Sequence, residues 1–350
     1  MKIRRSLSIA AAVTTAALLL SGCVAGEGSP NAETTTQAQG ADDGATWSKD
    51  TLNIDWATYS PLSIILKEKG WIEATLGDSV TVNWLQSAGS NKANEALRAN
   101  AVDVGSTAGS AALLARSNGS PIKTIALYSQ PEWAAIVAPA GSDITSVADL
   151  KGKQVAATKG TDPYFFLLQA LQEAGVGLDE VTVENLQHAD GRTALETGAV
   201  DAWSGLDPLM ATSEIEAGST LIYRNIDFNT YGFLNATEDF VTNHPDLAQV
   251  VVDAYEKARQ YALANLDETV ELLAEASGVS TEIAEKVIKE RTNLDLSVVP
   301  GDRQRDVLAI VGPIFVESGD VANQGLIDTA LDELIDATFA DKADPANITE

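Results

Sequence analysis

Short apolar runs alternate along the chain with segments in which apolar residues recur every three or four positions. In "IDWATYSPLSIILKEKG", at residues 54–70, an apolar stretch is followed by a polar loop, a proline and a periodic segment that ends at glycine. The first pattern is typical of a β-strand and the second of an amphipathic helix. Because strands and helices alternate, the sequence predicts an α/β fold with mainly parallel sheets flanked by helices.

The pattern occurs twice. "VTVNWLQSAGSNKANEALRANAVDVGS" begins at Val80, and "VTVENLQHADGRTALETGAVDAWS" begins at Val181; upstream, residues 54–70 match residues 154–175 in the same way. Each unit predicts strand, loop, helix, strand, loop, helix and strand. Ligands of such sheets lie outside the carboxyl ends of the strands, so two units predict two lobes with a ligand cleft between them.

Single residues and short apolar stretches predict where helices begin and where the chain crosses between the lobes. Pro61 and Pro163 suit a first helical turn, and Ser60 and Asp162 are expected to cap it. Apolar stretches near Trp133 and Tyr231 are expected to carry the chain between the lobes. The expected division is residues 51–133 with 232–340 for the first lobe, 134–231 for the second lobe and 341–350 for a tail.

The N-terminus resembles a bacterial lipoprotein signal. Three basic residues precede an apolar run at residues 10–20 that is too short to span a bilayer, and "LLLSGC" follows it. This motif, called a lipobox, predicts a signal peptide at residues 1–22 and a lipid on Cys23. Residues 23–50, poor in large apolar side chains, predict a flexible tether, and the protein is expected outside the cytoplasm, anchored to the membrane by its lipid alone.

Composition narrows the possible partners. The formal net charge is −27, and removing the three basic residues of the signal makes it −30, so nucleic acid is not an expected partner. A small anionic ligand is still possible, because surface charge is screened beyond about 8 Å while buried N–H groups act at contact. The single cysteine excludes an internal disulfide.

The chain lacks the usual signs of catalysis. It has two histidines, His188 and His244, and no pair of His, Cys or carboxylate residues has a convincing metal-ligand spacing. No Gly-x-Ser-x-Gly motif occurs, and His188 has no nucleophile beside it in the sequence. The sequence therefore predicts neither an enzyme nor a metal or cofactor site.

The loops expected at the cleft offer small hydroxyls and helix-start N–H groups. "DVGSTAGSAALLAR", at residues 103–116, is the clearest case, since a turn rich in Gly, Ser and Thr runs into a helix and can hold an oxyanion. Its hydroxyls are also ordinary helix caps, so both interpretations stay open. Tyr59, Trp133 and Trp203 are candidate apolar walls, with hydrophobic core as the alternative for each.

At these motifs the chain resembles the substrate-binding lipoproteins of ABC importers in the aliphatic sulfonate, taurine and nitrate group. The resemblance rests on the lipobox, "GSNKANEALRANAVDVGSTAGSAAL", "VADLKGKQVAATKGTDPYFFLLQAL" and "GAVDAWSGLDP". It implies the type II periplasmic-binding-protein fold, two lobes that close on one ligand, and delivery to a membrane permease driven by an ATPase.

The resemblance also implies a division of the site. An oxyanion head would be held by the loops of both units, Trp203 and Asp207 would line the rest, and Arg192 is a candidate ion-pair partner for the head. Leu206 stands where related binders often have a second aromatic residue. The head-group residues are Ser87, Ser90, Gly105, Ser106, Thr107 and Thr161. The remaining candidates are Tyr59, Ser60, Trp133, Thr158, Gly160 and Asp162.

The expected function is the extracytoplasmic solute-binding component of an ABC importer, a monomer that captures a small organic anion, with an aliphatic sulfonate first. Alternatives on the same fold bind nitrate, bicarbonate, a carboxylate or a thiamine-precursor pyrimidine. A sensor or adhesin without transport is a further alternative.

The lipobox gives a first prediction. Cys23→Ala should leave a folded protein that is found in the soluble fraction, because the anchor and the fold are separated by a solvated tether. Fractionation of cells that express each form, followed by immunodetection, measures this. A Cys23→Ala protein that stays firmly in the membrane fraction would contradict the lipobox.

Overall fold

The structure, a computed structural model, describes residues 46–350. The predicted signal peptide, Cys23 and most of the predicted tether lie outside these residues. Within residues 46–350, no helix combines the length and the apolar character needed to cross a membrane.

The first sheet contains six strands in the spatial order β11-β4-β10-β3-β1-β2. The strands β1 and β2 pair in parallel, as do β1 and β3, whereas β10 is antiparallel to β3 and β4, and β11 to β4. The strands are β1 (Thr51–Trp56), β2 (Thr81–Gln86), β3 (Val104–Ala108), β4 (Ile122–Pro131), β10 (Gly232–Thr237) and β11 (Thr292–Asn293).

The second sheet contains five strands in the order β7-β6-β8-β5-β9. Its centre repeats the first sheet, since β6 pairs in parallel with β7 and β8, while β5 is antiparallel to β8 and β9. The strands are β5 (Ala134–Ala138), β6 (Gln154–Ala157), β7 (Thr182–Asn185), β8 (Ala202–Leu206) and β9 (Thr220–Tyr223). We call each sheet with the helices packed on it a lobe.

Helices cover the sheets. Helix α3 packs on β3, α9 packs on α1 and β4, α5 packs on β5 and β8, and α6 packs on β8. The helices are α1 (Pro61–Lys69), α2 (Trp71–Leu76), α3 (Ser90–Arg98), α4 (Gly109–Ser117), α5 (Asp162–Glu173), α6 (His188–Glu196), α7 (Leu209–Ala217), α8 (Glu238–Asn243), α9 (Pro245–Ala264), α10 (Leu266–Ser277), α11 (Thr281–Glu285), α12 (Asp302–Glu317) and α13 (Gln324–Glu333). A π-helical turn, Lys286–Glu290, continues α11.

The sequence repeat corresponds to equivalent places in the two sheets. The first unit supplies β1, β2 and β3, the second supplies β6, β7 and β8, and in both the first strand lies between the other two. The predicted α/β fold with two sheets is therefore confirmed. The sheets are mixed rather than mainly parallel, because the strands that lead into and out of each lobe pair antiparallel to β3 and β8.

The chain passes between the sheets twice, between β4 and β5 and again between β9 and β10. Trp133 lies in the first crossing, and Tyr231, with a φ of 62°, lies at the end of the second. The boundaries of the lobes in the sequence stay a prediction.

The described N-terminus is attached to the first lobe. The Trp47 indole N–H donates to the Leu76 carbonyl at 3.2 Å. The Ser48 N–H donates to Asp246 at 2.8 Å, and the Ser48 hydroxyl lies 3.0 Å from His244 Nδ1. These contacts bind the chain just before β1 to the start of α9.

Three local predictions are wrong. Ser60 makes no capping hydrogen bond, and Asp162 is the first residue of α5 rather than its cap. Residues 105–107 were expected in a turn, but they lie in β3, and α4 begins only at Gly109. The reason is that β10 pairs with β3 as far as Ala108 and keeps this segment extended.

Candidate functional site

The loops that follow the parallel strands of the two lobes meet. Asn91, at the start of α3, lies 3.4 Å from the Gln187 side-chain oxygen through its Nδ2 atom. A Cβ atom added to Gly160 would lie 3.6 Å from Asn91, and one added to Gly89 would lie 2.9 Å from His188 Nε2. The carboxyl ends of the strands therefore face each other across a closed cleft, as the sequence predicts for a ligand site.

Asp162 connects the lobes inside this cleft. Its Oδ1 accepts hydrogen bonds from the hydroxyls of Ser110 at 2.5 Å and Thr230 at 2.6 Å. Its Oδ2 accepts from the indole N–H of Trp133 and from the backbone N–H of Thr230, each at 2.8 Å. Burial raises the pKa of this carboxyl, while the same donors oppose the rise. Asp162 thus binds the start of α5 to α4 and to both crossing segments.

A small cavity lies beside Trp133. The rings of Tyr59 and Trp133 pack edge to face with centroids 6.0 Å apart, and they line the cavity together with Thr58, Asp207 and Arg291. Its free volume is about 10 Å³, near the minimum that one water molecule needs. A ligand of several heavy atoms therefore requires the lobes, or these side chains, to move apart.

A larger groove, of about 730 Å³, lies elsewhere, between the end of α5 and α12. Leu168, Leu171 and Ile314 contribute its apolar lining. It does not contain the loops that follow the parallel strands, so its geometry is not that of the predicted site.

Arg291 follows the π-helical turn and reaches across to the second lobe. Its Nη1 lies 3.2 Å from both carboxylate oxygens of Asp207, and its Nη2 contacts Glu214. Burial raises the pKa of Asp207 to about 6, although the Arg291 charge opposes the rise. Sequence reasoning missed Arg291, because the helical segments after residue 245 were expected to pack around the first lobe only.

Asp55 is a second residue that the sequence reasoning missed. Its Oδ1 accepts the Ser106 N–H at 2.8 Å, and its Oδ2 lies 3.3 Å from the Ser106 hydroxyl. Burial raises the pKa of Asp55 to about 7, and the Ser106 N–H lowers it in part. An acid inside the apolar run "LNIDW" was the available signal.

Thr107, in the Gly, Ser and Thr-rich motif at residues 103–116, and Ser90 next to it also have partners within the first lobe. The Thr107 hydroxyl donates to the Ala108 carbonyl at 2.9 Å and accepts from Asn235 at 2.7 Å. The Ser90 hydroxyl accepts the Ala108 N–H at 2.9 Å. Gly105 lies against Leu97, 3.2 Å from the position of an added Cβ. The motif that looked most like an anion site is therefore largely satisfied by the protein itself.

The facing loop of the second lobe is ordered by its own hydroxyls. Thr161 donates to the Thr158 carbonyl at 2.6 Å, and Thr158 donates to the Leu186 carbonyl at 2.7 Å. The Thr158 oxygen therefore accepts from His188 Nδ1, 3.1 Å away, which leaves Nε2 as a free acceptor. Burial lowers the pKa of His188 to about 3, so the ring is neutral. Gly160, with a φ of 78°, completes the turn.

Several buried polar atoms around the cleft have no hydrogen-bond partner among residues 46–350. They are Ser60 Oγ, Ser87 Oγ, Asn91 Oδ1, His188 Nε2 and Arg291 Nε. An unpaired buried polar group costs about 1–3 kcal/mol, so a ligand that satisfies several of these groups would be bound favourably. They include both donors and acceptors, and they come from both lobes.

The structure does not bring Arg192 and Trp203 to the cleft. Arg192 lies on the outside of α6, where it pairs with Glu196 at 2.7 Å and Glu216 at 3.0 Å. Trp203 is fully buried in a hydrophobic cluster, and its ring lies against Gly191. It is the second residue of β8, about 10 Å before the carboxyl end of the strand at 3.3 Å per residue.

The profile of the family described as NMT1/THI5 like matches residues 64–269, more than half of the chain. The chain belongs to this family.

Relatives of this NMT1/THI5-like chain are named for sulfonate binding. A Bacillus subtilis (strain 168) protein named for binding aliphatic sulfonates is 30% identical over 68% of this chain and 73% of its own length. An Escherichia coli (strain K12) protein with the same name is 26% identical over 70% of this chain and 77% of its own.

Solved structures share the fold. The alkanesulfonate-binding protein SsuA from Xanthomonas axonopodis pv. citri, bound to MOPS, superposes on the NMT1/THI5-like chain with a TM-score of 0.73 at 22% identity. The match covers 81% of this chain and 98% of that chain. A Candida albicans protein described as having the generic periplasmic-binding-protein fold matches with a TM-score of 0.68 at 17% identity and covers 82% and 96% of the two chains. The predicted periplasmic-binding-protein fold is thereby confirmed.

The position of Asp162 leads to a prediction about stability. Asp162→Asn should lower the free energy of unfolding by about 1–3 kcal/mol, because an amide must point N–H donors at groups that themselves donate. Urea unfolding followed by circular dichroism measures this, with Asp190→Asn on the exposed side of α6 as the control. Equal stability of Asp162→Asn and the wild type would contradict the proposed connection.

A second prediction concerns pH. The pKa of Asp55 is raised in the folded state, so its stabilising contribution is complete below about pH 4 and is lost as the pH rises through about 7. Asp55→Asn should therefore gain stability relative to the wild type between pH 4.5 and 8, by about 3 kcal/mol. The hydroxyls of Tyr59 and Tyr255 do not titrate in this range, since burial raises the pKa of both well above 10.

Urea unfolding at the two pH values tests the change, with the exposed Asp78→Asn as the control. If the difference between Asp55→Asn and the wild type is the same at pH 4.5 and 8, then Asp55 does not change its protonation over this range.

Proposed function

We propose that this chain is the extracytoplasmic solute-binding component of an ABC importer and that its ligand is an aliphatic sulfonate. The observation that carries the proposal is the cleft at the strand ends, where buried polar groups from both lobes lack partners and the rings of Tyr59 and Trp133 pack together. The names of the relatives support the ligand class. The alternatives of nitrate, a carboxylate or a pyrimidine have no such support among the relatives described above.

The arrangement suits an anion with an apolar tail. The unpaired hydroxyls of Ser60 and Ser87 can donate to oxygen atoms of the sulfonate, and hydrogen bonds to a charged group are worth about 1.5–3 kcal/mol. The edges of Tyr59 and Trp133 offer an apolar surface for the carbon chain. Thr158, Gly160 and Thr161 shape the opposite wall, and Asp162 positions Trp133 rather than contacting the ligand.

Delivery completes the proposal. Cys23 carries the lipid, the expected tether ends before Trp47 because Trp47 and Ser48 are bound to the first lobe, and the monomeric protein passes its ligand to a membrane permease. Opening of the lobes at the crossings near Trp133 and Tyr231 admits the ligand, because the cavity between them is too small in the closed state.

Binding without catalysis is the simplest chemistry for this cleft. His188 is neutral and hydrogen-bonded to Thr158, and neither residue adjoins a cysteine or an activated serine among residues 46–350. In the same part of the chain, no three His, Cys, Asp or Glu side chains are grouped so that they could hold a metal ion.

Calorimetric titration of the purified protein tests the function. Methanesulfonate, ethanesulfonate and butanesulfonate should bind with affinity that rises about fourfold per methylene, since each buried methylene contributes about 0.8 kcal/mol. Nitrate, benzoate and a hydroxymethylpyrimidine are the comparison ligands. Preference for any of these over every sulfonate would replace the sulfonate proposal by that alternative.

Two matched serine variants locate the site in the same assay. Ser87→Ala should weaken sulfonate binding about tenfold, because its buried hydroxyl lies near Asp55 without a well-formed hydrogen bond and is therefore available to the ligand. Ser106→Ala is the control, since its hydroxyl lies against Asp55, and it should leave the affinity nearly unchanged. The reverse result would place the oxyanion at the β3 segment instead.

A further inference from the structure

Arg291 is the one cation that lines the cavity between Tyr59, Trp133 and Asp207 within residues 46–350. We propose that Arg291 binds the oxyanion head of the ligand and that Asp207 competes with the ligand for the same guanidinium group. This inference rests on the proposed function, because it assigns a residue to the head group of that ligand.

The location of Arg291 supports this role. The residue follows Lys286–Glu290 and pairs through its strand neighbour Thr292 with Pro131 of β4, so its backbone belongs to the first lobe. Its side chain is only 2% exposed and ends beside Asp207 of the second lobe. It therefore reaches across the cleft in the way that a group contacting an enclosed ligand must.

The hydrogen bonds of the guanidinium group leave capacity for a ligand. Of its five N–H donors, those on Nη1 face Asp207 and one on Nη2 faces Glu214, while the buried Nε–H has no partner among residues 46–350. Both contacts to Asp207 are 3.2 Å long, whereas charge-assisted hydrogen bonds are usually 2.7–2.9 Å. Asp207 is thus a loosely held partner that a sulfonate could displace or share.

The charges around Arg291 are balanced without a ligand. Asp207 and Glu214 carry negative charge, and Lys286 lies 3.6 Å from Glu214, which offsets one of them. Burial disfavours ionised Asp207, since its pKa is raised to about 6 even beside Arg291. An incoming sulfonate, which stays ionised at all ordinary pH, can take over the pairing and leave Asp207 free to bind a proton.

The sequence pointed to a different arginine. Arg192 has two carboxylate partners on the surface of α6, so it offers a matched control that has the same side chain and lies outside the cleft. The planar fork of an arginine matches two oxygen atoms of a sulfonate, and a lysine would supply only a point charge.

The test is calorimetric titration of the full chain with ethanesulfonate. Arg291→Gln should lower the affinity about tenfold or more, Arg291→Lys should bind with intermediate affinity, and Arg192→Gln should bind as the wild type does. Asp207→Asn should raise the affinity about threefold to tenfold, because the competing carboxylate is gone. If the ion pair had only a structural role, Arg291→Gln would not lower the affinity while Asp207→Asn raises it.

Removal of Arg291 alone leaves Asp207 buried without its partner, so the double variant Arg291→Gln/Asp207→Asn keeps the test valid if the single variant unfolds. Thermal unfolding confirms that it is folded. Because Asp207 acts on the ligand only through Arg291, the gain from Asp207→Asn should disappear in the double variant, which should bind about tenfold more weakly than the wild type. A folded double variant that binds ethanesulfonate within about twofold of the wild type would overturn the role of Arg291 and leave the sulfonate function standing. A wild type that binds no sulfonate would overturn both.

Discussion

The carboxylate of Asp162 is the contact on which the closed arrangement depends. It accepts four hydrogen bonds from three separate segments, namely α4, the first crossing at Trp133 and the second crossing at Thr230. A buried charge is tolerated only where donors replace its hydration, and here those donors come from the first lobe and from both crossings. The orientation of Trp133, and with it one wall of the cavity, follows from this one carboxylate.

Buried carboxylates also explain why the donors expected to face a ligand have protein partners instead. Asp55 occupies the N–H of Ser106, and Asp162 occupies the hydroxyl of Ser110. The buried polar groups around the cleft that stay unpaired belong to Ser60, Ser87, Asn91, His188 and Arg291. The cleft therefore combines acceptors and donors, so recognition depends on the geometry of a small set of groups rather than on a general positive potential.

The fold could be predicted from the sequence, because hydrophobic periodicity and the internal repeat each extend over many residues. The site was readable only in part. Tyr59, Trp133 and Asp207, three of the expected site residues, line one cavity, and their contact with a ligand stays a prediction. The direction of a side chain within a strand could not be predicted from the sequence. Trp203 was therefore expected in the cleft, whereas its ring packs against Gly191. Arg291 was missed because it lies far along the chain, and no local pattern reveals a long-range ion pair.

The attachment of Trp47 and Ser48 determines which lobe would bear a force applied along the preceding chain. Both residues are hydrogen-bonded to the first lobe, at Leu76 and at the start of α9. A pull transmitted along the preceding chain is therefore borne by the first lobe alone, and it exerts no torque on the crossings at Trp133 and Tyr231. If the lobes open as proposed, the second lobe would move relative to a fixed first lobe, and the opening would not depend on the tension in the chain that precedes Trp47.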